Sequence, residues 1–142
     1  MGNMLIGCGQ ITWGRDVPQE QVLAEIAQAG YEGAPASPRG GRTAKEVIDT
    51  YARYGLKPAP GYLGADFWVK DQEEQILQRA RELGAFMHDV DCTELYVAAG
   101  GFDGYVTSRG KTRREIAGHV RPEDDMTDAE YAQFAKTLNK VG

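Results

Sequence analysis

Short apolar runs and amphipathic stretches alternate four times along this chain of 142 residues. That alternation constrains the fold more than any other property, because a helix between two strands returns the chain to begin the next strand parallel to the last. Strands are expected over residues 4–11, 31–36, 56–62 and 94–99. The first helix follows Pro18, a residue suited to an opening turn, and carries Val22, Leu23, Ile26 and Ala29 at helical spacing before Gly30 ends it. The second opens at Thr43, with Glu46 placed for a capping box, presents Ala44, Val47, Ile48 and Tyr51, and closes at Gly55. The third begins near Asp71 or Gln72 and buries Ile76, Leu77, Ala80, Leu83 and Met87. The last opens with the pair Thr127 and Glu130 and presents Tyr131, Phe134, Ala135 and Leu138.

Strands and helices in this order, with short apolar strands, predict an α/β fold whose parallel sheet is buried on both faces. A fifth strand is due where the sequence reads Leu138-Asn139-Lys140-Val141-Gly142, and an eight-unit barrel takes about 250 residues. The expected architecture is therefore a (βα)4 half of a TIM barrel, one domain over 1–142, with a long rim loop at about 100–126. Pro35, Pro58 and Pro60 fall in expected strands, where each removes a ladder donor. Either these strands are short and the prolines lie at their ends, or the rim there is wide and irregular beside a ligand site.

Sixteen Lys and Arg against 21 Asp and Glu give a net charge of −5. That balance argues against a nucleic-acid partner, which needs a basic face to displace counterions from phosphates. No apolar run reaches about 18 residues, so no membrane partner is expected. Cys8 and Cys92 have no metal-finger spacing and read as reduced thiols of a soluble, cytoplasmic protein. Gly7 and Gly9 follow a strand, but the next helix starts too far on for its N-terminus to meet a pyrophosphate. They read instead as relief of crowding, or a bulge.

Parallel α/β folds carry their sites at the C-terminal ends of strands. Here that rim holds Gln10, Thr12 and Trp13, then Ser37 and Arg39, then Tyr62, Asp66, Phe67 and Trp68, and last Phe102, Asp103 and Tyr105. Aromatics beside a few polar groups suit stacking on a sugar ring with hydrogen bonds to its hydroxyls. The other reading makes them hydrophobic caps or interface residues. Arg109, Lys111, Arg113, Arg114, His119 and Arg121 in the rim loop offer an anion site, or else a solvated surface shared with Glu115, Glu123, Asp124 and Asp125. His88 with Asp89 and Asp91 lies at the end of a helix away from the rim and reads as a surface histidine. No nucleophile–base pair and no metal ligand set stands out, so no catalytic or metal residue is assigned.

Several strings together resemble the sugar phosphate isomerase/epimerase family, the xylose-isomerase-like TIM barrels that include inosose dehydratases. They are Ile6-Gly7-Cys8-Gly9-Gln10-Ile11-Thr12-Trp13, Ala29-Gly30-Tyr31-Glu32-Gly33, Tyr54-Gly55-Leu56-Lys57 and Phe134-Ala135-Lys136-Thr137-Leu138-Asn139-Lys140-Val141-Gly142. The resemblance covers the N-terminal half of the family's length. It implies a divalent metal (Mn, Mg, Co or Zn) in a full-length relative, held by later strands, and proton transfer next to a carbonyl on a sugar, polyol or sugar phosphate. The family often places a Glu at the end of the second strand, where this chain has Pro35 and Ala36. What carries over is a substrate-binding wall, assigned to Gln10, Trp13, Tyr62, Phe67, Trp68 and Phe102. The chain alone is expected to be inactive and to form a homo-oligomer or pair with a complementary half barrel. The alternative is a non-enzymatic half-barrel assembly or binding module.

Overall fold

The computed structural model of the protein describes residues 5–14, 16–100, 106–107 and 109–142. Helices and short strands alternate in a mixed α/β chain. The order is α1 (Gln19–Gln28), β1 (Gly33–Pro35), α2 (Ala44–Ala52), β2 (Lys57–Ala59), β3 (Gly61–Ala65), α3 (Glu73–Asp89), β4 (Leu95–Ala99), α4 (Arg113–Ile116) and α5 (Asp128–Val141). The chain divides into two compact units, one of residues Met1–Tyr62 with Glu82–Tyr96, the other of Leu63–Arg81 with Val97–Gly142.

In the first unit the chain around Gly7 makes a parallel bridge to Gly33. Cys8 N–H donates to Gly33 and Glu32 N–H donates to Ile6, both at 2.9 Å. β1 then pairs in parallel with β2, with Gly33, Ala34 and Pro35 opposite Lys57, Pro58 and Ala59. Three segments thus lie side by side in chain order, as short helical crossovers through α1 and α2 dictate. The long first strand expected over 4–11 is reduced, among the described residues, to the single bridge at Gly7.

The prolines set the strand lengths. Pro35 is the last residue of β1. Lys57 N–H donates to Glu32 on the β1 side, so the nitrogen of Pro58 faces the other edge and no ladder bond is lost to β1. Pro60 falls between β2 and β3 and splits the run expected over 56–62 into two strands. β2 belongs with β1, whereas β3 pairs with β4.

Three helices end the same way. In α1, Gly30 has φ 85° and Tyr31 N–H reaches back to Ile26. After α2, Leu56 N–H bonds to Tyr51, and after α3, Cys92 N–H bonds to Met87 at 2.9 Å. Each is a six-to-one closure around a left-handed residue. The core of this unit packs Val22, Leu23 and Ile26 of α1 and Val47 and Tyr51 of α2 over Ala34, Ala36 and Leu56, with Phe86, Met87 and Val90. Complete burial of a side chain such as Leu23 or Val47 stabilises by about 1.5–3 kcal/mol. Gly61 approaches so closely that a Cβ would stand 2.5 Å from the Ala36 carbonyl oxygen.

In the second unit Leu63, Ala65, Phe67, Trp68, Ile76, Leu77 and Ile116 are buried. Along β3 burial alternates strictly, with Gly61, Leu63 and Ala65 inside and Tyr62 and Gly64 outside. The stripe expected on α5 is rotated: Tyr131 is half-exposed and Thr137 is fully buried. The Thr137 hydroxyl donates to the Gln133 carbonyl at 3.0 Å and accepts from the Gln133 amide at 3.0 Å, so a polar residue sits where an apolar one was expected at no hydrogen-bonding loss. Residues 106–126, expected as loop, hold an antiparallel bridge between Val106 and Thr112. They also hold α4, opened by a Thr112–Glu115 capping box, and a 3-10 turn at Pro122–Asp124.

Candidate functional site

Ala34 and Ala36 point into the helix-covered core of the first unit. Gly33 and Pro35 alternate with them and therefore face the opposite side of the sheet. There, with Gly7, Gly9 and Ala59, they floor a cavity of about 520 Å³. The space exists because the strands put hydrogens and methyls on that face where a closed sheet would put larger side chains. Gly7 keeps the pairing close, since a Cβ there would meet the Gly33 oxygen at 3.2 Å. Tyr62 and Tyr96 line the same cavity. Their ring centroids stand 5.2 Å apart with planes tilted by 45°, and they are 58% and 50% exposed.

Charged groups stand on this cavity too: Glu32, Lys57, Asp91 and Glu94. Glu32 precedes β1, Lys57 opens β2 and Glu94 precedes β4, so they mark the N-terminal ends of the strands. The Glu32 carboxylate accepts the Ile6 N–H at 3.0 Å. Lys57, Asp91 and Glu94 are exposed. In the sequence, Asp91 stood out only beside His88 and Asp89, and Glu32, Lys57 and Glu94 were given no role.

Of the residues expected to form a substrate wall, Tyr62 alone is an exposed aromatic among those described. Gln10 uses its side-chain amide on the Pro35 carbonyl at 3.2 Å. It stands in for the backbone N–H that a longer first strand would have supplied there. The Tyr51 hydroxyl donates to the same carbonyl at 2.7 Å and accepts from the Gln19 amide at 3.4 Å. Burial pushes the Tyr51 phenol above its ordinary pKa, partly offset by hydrogen bonds from Gln10 and Gln19. Trp13 donates its indole N–H to Glu25 at 2.7 Å and packs against the first unit's core. That bond, followed by one from Gln21, holds the Glu25 carboxyl below its usual range.

Phe67 is fully buried and Trp68 nearly so. Phe134 meets Phe67 edge-on at 5.6 Å and stacks on Trp68 at 6.1 Å, while the Arg113 guanidinium lies 4.8 Å from the Trp68 ring centroid. These two aromatics form the second unit's core in this structure and offer no open ring face. Phe102, Asp103 and Tyr105 lie outside the described residues. Asp66, at the end of β3, has one buried carboxylate oxygen with no hydrogen-bond partner. It packs on Gly100, where there is no room for a Cβ.

Several basic residues of the 100–126 segment face carboxylates. Arg109 forms a forked ion pair with Asp124, its Nε at 2.6 Å from Oδ1. Lys111 pairs with Glu115 at 3.4 Å and Arg121 with Glu123 at 3.9 Å. The Asp124 side chain is completely covered. The Arg109 guanidinium, helped by the Arg121 N–H at 2.9 Å, holds its carboxyl down at about 2. This arrangement ties the segment together and leaves it little surplus positive charge for an anion. His88 is 89% exposed, 3.7 Å from Asp89. Among the described residues no three His, Cys, Asp or Glu side chains converge as a metal site. No helix among them is long and apolar enough to cross a membrane.

Comparison of the chain with protein-family models, with curated proteins and with solved structures finds no match.

Proposed function

We propose that the chain is a (βα)4 half barrel and that the uncovered face of its sheet is a binding wall for a polyol or keto-sugar. Support for the half barrel is the chain-order, parallel pairing of the Gly7 segment, β1 and β2, the neighbour relation that barrel closure requires. The observation that carries the binding wall is the Tyr62–Tyr96 pair, half-exposed over a cavity of about 520 Å³. Tilted aromatic rings accept the C–H face of a sugar, and carboxylates beside them accept its hydroxyl hydrogens.

In this reading the parent activity is that of an isomerase, epimerase or dehydratase that moves a proton next to a carbonyl. The described residues bind and orient the substrate. A complementary half barrel supplies the acid–base groups and the ligands of a divalent metal. NMR titration of the isotope-labelled chain with sorbitol tests the wall: shifts should centre on Tyr62, Tyr96 and Gly33, and Tyr62→Ala should weaken binding by roughly tenfold, the loss of one stacked ring. Shifts absent up to the solubility limit of the polyol would overturn it.

A further inference from the structure

We draw no further inference here: the strongest candidate, the apolar strand β4 with its half-exposed Tyr96 and Val97 and the edge that has no strand partner among the described residues, carries nothing, because nothing in the structure shows what covers it.

Discussion

Asp91 holds a left-handed backbone, with φ 59°, at the turn that closes α3. A Cβ in that region costs roughly 1–2 kcal/mol, less for an aspartate whose short side chain bonds locally. Glycine would relieve this and give back roughly 0.4–1 kcal/mol through its freer unfolded chain. Asp91→Gly is therefore expected to raise stability by about 0.5 kcal/mol in denaturant unfolding. A variant less stable than the parent would show that the aspartate is retained for its contacts. Asp124 makes a prediction of another kind. Its carboxyl titrates at about 2 in the folded chain against an ordinary 3.8, chiefly through the Arg109 guanidinium. A depressed carboxylate contributes stability that is fully present above about pH 4 and is lost as pH falls toward about pH 2. Glu25, Glu46, Glu73 and Glu115 are also held low and lose stability over the acid range too, so the decisive quantity is a difference. Thermal melts from neutral to acid pH should show Asp124→Asn less stable at neutral pH, with the gap narrowing as the solution is acidified. A gap independent of pH would count against the ion pair.

At the scale of the element, helices are written in local chemistry and strands are not. The Thr43–Glu46 and Thr127–Glu130 boxes form as their spacing predicts. Gly30 and Gly55 end their helices in left-handed conformations. The same spacing at Thr112 and Glu115 opens α4, which was legible in principle but hidden inside a segment read as loop. Thr112→Ala should cost about 1 kcal/mol, the usual worth of an N-cap. It should be visible as faster amide exchange at Glu115 and Ile116, and unchanged exchange there would refute the role of the cap. Strand bounds depended on which proline nitrogen faces which edge, a matter of pairing that no single stretch of sequence contains. The surroundings of the expected wall residues were not legible for a related reason. Position at a strand end says nothing about whether a side chain is already engaged, as Gln10 is by Pro35, or buried, as Trp68 is. Tyr96 and Glu94 went unremarked because a cavity floored by Gly7, Gly9 and Gly33 appears only once the strands are paired.

For the whole molecule the open question of partners turns on what remains uncovered. Among the described residues the Gly7 segment pairs with β1 alone and β4 with β3 alone, so each leaves one row of backbone donors and acceptors without a strand partner. Leu5, Tyr62, Tyr96 and Val97 are large apolar side chains left 44–58% exposed. Natural sheets protect such edges with lysine, proline or a covering element, and β4, of sequence Leu-Tyr-Val-Ala-Ala, carries none of these residues. Association through this edge and face is therefore expected, with a second copy or a complementary half barrel as the partner. A specific pairing of that kind needs about 1,200 Å² of total buried surface. Sedimentation velocity at micromolar concentration should show a dimer or larger species. Val97→Lys, which places on β4 the charge that edge strands ordinarily use, should shift it toward monomer with the far-ultraviolet dichroism unchanged. A parent chain that sediments as a folded monomer across that range would remove the edge as an interface.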